Sequence, residues 1–202
     1  LPFYWAGYRQ TTRYTYLLPD ISDKEALWND VNTNIRRNIQ KAKKKYGLKV
    51  QRGMDVATFI AMNKQVYIRQ GLKPYHLEIL ERLITTTIAR DQGQIWAAFD
   101  ADGQLHAAVF VIWQDDCAYY IAGSSNTQFR KSGGMALALW QAIGDVSQYT
   151  NTFDFEGSMV KGIEHFFREF GAKQMSYFSI YKGKINWIQR VLIKLKYLYS
   201  NK

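Results

Sequence analysis

Residues that often carry cross-links and metal sites are scarce in this chain. It has one cysteine and three histidines in 202 residues. A disulfide framework within the chain is therefore excluded, and no Cys/His spacing typical of a zinc site occurs. Cys117 opens an apolar stretch, so we interpret it as a small core residue, with a catalytic thiol as the less favoured alternative. The sequence predicts no metal site.

Long apolar runs, linkers and repeats are also missing. No run reaches the ~20 apolar residues that a membrane span needs, and no signal peptide is recognisable. We therefore expect a cytoplasmic protein, with the inner face of the membrane as an alternative location. Only three prolines occur, and a hydrophobic content of 47% is typical of a packed domain. We expect one domain over residues 1–202, in which residues 1–19 would join it to a further N-terminal half.

Acidic residues are outnumbered, with 17 Asp and Glu against 27 Lys and Arg, which gives a net charge of +10. Such a charge favours phosphorylated ligands, nucleic acid or an anionic membrane surface, and it does not choose among them. Residues 36–45 are the most basic stretch and lie on a predicted helix whose apolar face is Ile35, Ile39, Ala42 and Tyr46. The basic face is either solvated or a phosphate-binding ridge, and its candidate substrate-binding residues are Arg36, Arg37 and Lys41.

The order of the predicted elements indicates an α+β fold with one central sheet. A capping box at Ser22–Glu25 predicts a helix start, and residues 94–123 predict a three-stranded antiparallel meander with a turn at Asp102-Gly103. The remaining predicted strands are 11–18, 48–52, 153–157 and 173–181. The predicted helices are 22–46 with a break near 32–34, 55–71, 74–91, one that follows Gly134, 162–170 and 184–202.

A basic, glycine-containing turn stands immediately before one of these helices. Backbone N–H groups at a helix start lack partners within the helix, and the helix dipole favours an anion there. We therefore predict that this turn binds the phosphates of a ligand through Arg130, Lys131, Ser132, Gly133 and Gly134.

Four segments resemble the GNAT superfamily of acyltransferases and, within it, the Fem-type aminoacyltransferases of cell-wall and polysaccharide biosynthesis. They are residues 34–42, 119–125, 153–158 and 162–171. The resemblance implies a GNAT-like fold, in which helices flank a central, mostly antiparallel sheet. It also implies an enzyme without a permanently bound cofactor that transfers an acyl group to an amine of a phosphorylated or lipid-linked precursor. Met135 stands where acetyl-CoA-dependent members carry glycine or alanine, so acyl-CoA and aminoacyl-tRNA both stay open as co-substrate.

Acyl transfer to an amine needs a base for the amine proton and an electropositive group for the oxyanion. Asp154 and Glu156 are candidates for the base or for orienting the amine, with an ion pair to Arg168 or Lys161 as the alternative. Arg168 stands where Fem-type enzymes tend to carry a lysine. It is therefore the candidate for oxyanion stabilisation, held by Glu164 one helical turn earlier.

Tyr119 and Ser124 are candidate substrate-binding residues, although packing is the favoured role of Tyr119.

Two alternative functions stay open. One is a basic nucleic-acid-binding module with tRNA as its partner, and the other is a non-catalytic half-domain. The basic amphipathic segment 184–202 would contact an anionic membrane surface, and packing on the sheet is the favoured alternative.

Overall fold

A computed structural model describes residues 1–69, 71, 76–158 and 160–183. The chain divides into two compact units, and the larger unit is Tyr14–Met175. The smaller unit combines Leu1–Arg13 with the residues from Ser176 onward. The predicted single domain over 1–202 stays a prediction.

The described residues form seven strands and seven helices. The strands are β1 Arg9–Leu18, β2 Lys49–Arg52, β3 Gly93–Phe99, β4 Leu105–Trp113, β5 Ala118–Ser125, β6 Phe153–Asp154 and β7 Lys173–Tyr181. The helices are α1 Pro2–Trp5, α2 Lys24–Asp30, α3 Thr33–Lys44, α4 Val56–Arg69, α5 Leu77–Ala89, α6 Gly134–Val146 and α7 Lys161–Arg168. The strands make one sheet in the order β2-β3-β4-β5-β6-β1-β7.

The predicted meander is confirmed. β3, β4 and β5 pair antiparallel, and Gly103 in the first turn has a φ of +76°, which a glycine adopts at little cost. β6 also forms where a strand was predicted, and it pairs parallel with β5. β1 pairs antiparallel with β6. The sheet is therefore mostly antiparallel, as expected.

The predicted capping box at Ser22 is wrong by one residue. Asp23 caps α2 instead, because its carboxylate accepts the backbone N–H groups of Glu25 and Ala26 at 2.9 and 3.0 Å. The Ser22 hydroxyl is engaged elsewhere, since it donates to Asp20 Oδ1 at 2.6 Å. The predicted break near residues 32–34 is confirmed, because Asn32 caps the separate helix α3.

Two apolar cores cover the two faces of the sheet in the larger unit. On one face, Ile35, Ile39 and Ala42 of α3 pack with buried residues of α6 and α7. On the other face, Phe59 of α4 and Ile84 of α5 pack against β3 and β4. The result is a sheet between helical layers, as the α+β prediction required.

Two predicted features fall wholly or partly beyond this description. The helix start predicted at Pro74 lies outside the described residues, and α5 is described from Leu77. The predicted helix 184–202, with its membrane contact, also lies outside them.

Candidate functional site

The central feature of the larger unit is the divergence of β5 from β6. The two strands pair where Ala118 faces Phe153 and Tyr119 faces Asp154. β6 ends at Asp154, whereas β5 continues to Ser125. Phe110 and Val111 of β4 face Ala122 and Tyr120, so Ile121 is an extra, bulged residue of β5 that interrupts its regular pairing with β4. The far half of β5 therefore borders an opening in the sheet.

A cavity of about 370 Å³ lies beside this half of β5, and we call it the central cavity. Its walls come from α4, β5, the loop after β5, α6 and α7. Ser124 lies in this wall, is 2% exposed, and its Oγ has no hydrogen-bond partner among the described residues. Buried hydroxyls normally have such a partner, so Ser124 makes this cavity a candidate ligand site.

Tyr120 forms part of the same wall. Burial raises the pKa of its phenol, so the hydroxyl stays protonated over the physiological range and can donate a hydrogen bond. Gly123 lies directly against this hydroxyl, and a methyl group at residue 123 would collide with the phenolic oxygen. The glycine therefore gives the phenol room beside the cavity.

Two arginines supply the positive charge of the cavity. Arg130 lines the cavity, and its predicted binding of phosphates stays a prediction. Arg69 of α4 lines it as well and donates from Nη1 to Thr127 Oγ1 at 3.1 Å. This hydrogen bond ties α4 to the loop that carries Arg130.

The rest of the predicted phosphate turn packs closely between α3 and α6. Gly133 has a φ of +85°, and its Cα lies so near the Asn38 carbonyl oxygen that a side chain would collide with it. Ser132 is buried, and its Oγ accepts the backbone N–H of Gly134 at 3.1 Å. Lys131 is exposed and is not among the residues that line the cavity. The turn has a structural role in starting α6, and phosphate binding by it stays a prediction.

His106 of β4 holds the loop before α6 against the sheet. Its ring is 1% exposed and stacks on Phe129, and Nε2 lies 3.1 Å from Asp100 Oδ2. The backbone N–H of Asn126 donates to the His106 carbonyl at 2.9 Å. The Gln104 amide and then the His106 ring hold the pKa of Asp100 below its ordinary value. These contacts anchor the loop at its start and at Phe129.

The predicted carboxylates lie together where β6 ends. Asp154 accepts hydrogen bonds from the Thr15 hydroxyl and, at 2.7 Å, from the backbone N–H of Glu156. Desolvation and then the charge of Asp154 raise the pKa of Glu156. Glu156 also has a φ of +58°, which is uncommon for a residue with a side chain. Among the described residues neither carboxylate pairs with Arg168 or Lys161.

Arg168 projects from a different face of α7 than the cavity wall. Its Nε lies 2.7 Å from Glu164 Oε1, so the predicted pairing of these two side chains is confirmed. Glu164 also accepts the Tyr16 hydroxyl at 2.9 Å. Arg168 is 55% exposed and is not among the lining residues, which on α7 include Ile163 and Phe166. Its catalytic role stays a prediction.

The other predicted substrate-binding residues lie away from the cavity. Tyr119 is partly buried opposite Asp154, and burial raises the pKa of its phenol. Arg36, Arg37 and Lys41 lie on α3 and form no ion pair with any described carboxylate. The structure thus brings Ser124 and Arg130 together and leaves these four apart.

A larger groove, of about 520 Å³, lies between α2, α3 and α6. Trp28 and Trp140 line it with ring centroids 5.0 Å apart, and Lys24 and Lys43 supply positive charge. Its polar side chains are solvent-exposed, whereas the central cavity contains a buried hydroxyl in need of a partner. We therefore assign the candidate active site to the central cavity.

The described residues form neither a reactive thiol site nor a metal-binding cluster nor a membrane-spanning helix. Burial, and then the charge of Asp154, raises the pKa of Cys117 to about 11, so the thiol is protonated near neutral pH and is a weak nucleophile. In the part of the chain that the structure describes, no cluster of three His, Cys, Asp or Glu could hold a metal ion. No described helix has the length and hydropathy needed to cross a bilayer.

Several cavity residues were missed by sequence reasoning. Val66 and Phe166 lie on apolar helix faces, which are typical of core residues, and no sequence pattern indicates Arg69. The helical period of the apolar residues identifies which face is apolar. It does not indicate that the ends of α4 and α7 meet beside β5.

Comparison with known proteins gives one family model and several similar structures. A model of the acetyltransferase (GNAT) domain matches residues 29–168, more than half of the chain. A comparison with curated protein sequences gave no match. Among solved structures, FemX is 13% identical with a TM-score of 0.71, over 91% of this chain and 63% of FemX.

Two further structures have the same fold. L-PGS from Bacillus licheniformis is 12% identical with a TM-score of 0.59, over 99% of this chain and 70% of that protein. A tandem GNAT protein from the clavulanic acid biosynthesis pathway is 10% identical with a TM-score of 0.54, over 90% of this chain and 58% of that protein. At these identities the likeness shows the fold alone. The chain spans less than two thirds of FemX.

Proposed function

Because the chain belongs to the acetyltransferase (GNAT) domain family, we propose that it is an N-acyltransferase that binds the acyl end of its donor in the central cavity. The observation that carries this proposal is the buried, unpartnered Oγ of Ser124 in the cavity wall. Leaving such a hydroxyl unsatisfied costs about 1–3 kcal/mol. The carbonyl oxygen of a bound acyl group would accept its hydrogen bond.

The proposed reaction joins an amine to this carbonyl. The amine nitrogen attacks the carbonyl carbon, a C–N bond forms, and the C–S or C–O bond to the donor breaks. Glu156, whose pKa is raised by desolvation and then by the charge of Asp154, takes the amine proton and returns it to the leaving thiolate or alkoxide. Asp154 holds the backbone of Glu156. The Ser124 hydroxyl is the proposed hydrogen-bond donor to the oxyanion at the cavity, whereas the proposed role of Arg168 as its cation rests on the Fem-type resemblance, since Arg168 is not among the lining residues.

The proposed donor is acyl-CoA or aminoacyl-tRNA, and both carry phosphates. Arg69 and Arg130 at the cavity would attract those phosphates. The proposed acceptor is an amine of a phosphorylated or lipid-linked cell-wall or polysaccharide precursor, met at the inner face of the membrane. The Fem-type resemblance and the basic surface of α3 support this acceptor.

Turnover assays with matched serine variants test the proposal. The protein is incubated with amine acceptors and either acyl-CoA thioesters or aminoacyl-tRNA, and thiol release or deacylation is followed. Ser124→Ala should lower kcat/KM at least tenfold. Ser147→Ala, which removes a hydroxyl bonded to the Gly144 carbonyl of α6, should leave it unchanged. No consumption of either donor by the unaltered protein would refute the proposed function.

A second candidate, a nucleic-acid-binding function, is favoured by the groove between α2, α3 and α6. Tryptophan rings beside lysines are a common arrangement for stacking bases and contacting phosphates. RNA affinity that falls steeply with salt, and that Trp28→Ala abolishes without changing acyl transfer, would support it.

A further inference from the structure

The walls of the central cavity are mainly apolar. Its described lining includes the side chains of Val66, Met135, Ile163, Phe166 and Phe167. Ser124, Ser125 and the phenol of Tyr120 add hydroxyl groups on the β5 side. An apolar chain beyond the reacting carbonyl would be removed from water by these walls.

The charges at the cavity have one sign. Arg69 and Arg130 are the charged residues among the described lining residues, and no carboxylate is among them. The residues outside the described part contain no Asp or Glu in their sequence, so they cannot supply one either. An ammonium group carried along the acyl chain, among these lining residues, would therefore meet two cations and no carboxylate, which disfavours its binding.

The size of the cavity also bears on the length of the acyl group. A volume of about 370 Å³ corresponds to roughly a dozen water molecules at ~30 Å³ each. An acetyl group would leave most of this apolar space unfilled. Each further methylene group that the walls cover can raise affinity about fourfold.

We propose that the acyl group bound in the central cavity is uncharged and longer than acetyl, and this inference rests on the proposed acyl transfer. The substrate class is accordingly an aliphatic or aromatic acyl donor and not an aminoacyl donor with a free ammonium group. The carbonyl is placed at the Ser124 hydroxyl, and the chain lies along α4 and α7.

Binding of small thioesters tests this inference without a CoA or tRNA carrier. Dissociation constants are measured by calorimetry for N-acetylcysteamine thioesters of acetyl, butyryl, hexanoyl and β-alanyl groups. Butyryl and β-alanyl match in size and differ in a terminal methyl against an ammonium group. Butyryl should bind at least tenfold more tightly than β-alanyl, and hexanoyl at least tenfold more tightly than acetyl.

A carboxylate introduced into the wall should change the preference. Ile163 lines the cavity and is 45% exposed, so Ile163→Asp is compatible with folding and should reverse the order of butyryl and β-alanyl. Val160 is 60% exposed, lies just before α7 and is not a lining residue, so Val160→Asp is the matched control and should keep the parent order.

The outcomes separate this inference from the proposed function. If β-alanyl binds the unaltered protein as tightly as butyryl, the inference is overturned and acyl transfer stands. An unchanged order in Ile163→Asp also overturns it, because the acyl group would then lie elsewhere. If no thioester binds, the proposed donor site fails, and the inference fails with it.

Discussion

His106 and Phe129 stack face to face, with ring centroids 4.0 Å apart and an angle of 8° between the planes. The pair joins β4 to the loop that carries Arg130. The histidine ring also contacts Asp100, and the backbone carbonyl of His106 accepts the N–H of Asn126, so one buried residue connects the sheet to the loop before α6.

Replacing this histidine should loosen the loop. His106→Ala removes a buried ring and its stacking contact with Phe129, so we expect a loss of about 2–3 kcal/mol in the free energy of unfolding. His106→Phe keeps a stacking ring and removes the buried, unpartnered Nδ1, so it should lose less. Urea denaturation of the three proteins measures the difference. An alanine variant as stable as the parent would show that the stack does not fix the loop.

The glycine before α6 should resist substitution. Gly133→Ala would place a side chain at a φ of +85° and against the Asn38 carbonyl, so we expect a loss of about 2 kcal/mol or more. Gly162→Ala in α7 is the control, because a methyl group there has no atom within 4 Å and raises helix propensity. Thermal unfolding should show Gly133→Ala below the parent and Gly162→Ala at or above it. Equal melting temperatures for the two variants would contradict this.

Glu156 should make stability depend on pH. Its pKa is raised in the folded protein, so the folded state holds the proton more tightly than the unfolded chain. This contribution is present below the ordinary carboxyl pKa and is lost as pH rises through the raised value. Glu156→Gln should therefore raise Tm at pH 7 and match the parent near pH 3. The exposed Glu81→Gln on α5 serves as control. A lower Tm for Glu156→Gln at pH 7 would exclude this effect.

Arg168 tests the assignment made from the Fem-type resemblance. Removing one group that stabilises an oxyanion costs roughly 3–4 kcal/mol in the transition state, so Arg168→Ala should lower kcat by about two orders of magnitude. Its exposed pair with Glu164 contributes less than about 1 kcal/mol to stability, so unfolding should change little. Arg168→Lys should keep much of the activity. Full turnover by Arg168→Ala would leave the residue as an ion-pair partner of Glu164 alone.

The fold could be predicted largely from local patterns. Alternating apolar residues and the Asp102-Gly103 turn specify the meander, and the GNAT-like α+β fold is confirmed. The α2 cap was misplaced because Ser22 and Asp23 are both good capping residues. Only the three-dimensional contact of Ser22 with Asp20 decides between them.

The site could be predicted only in part. Ser124 and Arg130 lie close in sequence to the β5–α6 turn, so the local pattern locates them. Arg69 comes from a helix about 60 residues earlier, and its position depends on how α4 packs on the sheet. The separation of Arg168 from the cavity likewise depends on the rotation of α7, which period alone does not fix.

The cavity takes its hydroxyl groups from β5 and much of its apolar wall from α4 and α7. The pairing of β5 with β4 fixes the face of the sheet on which each β5 side chain lies, so the sequence of this strand is constrained by its register. Helix residues such as Val66 and Ile163 carry no such constraint. Proteins with this architecture can therefore diverge in the ligand that they bind by exchanging a few helical side chains, while β5 stays the same.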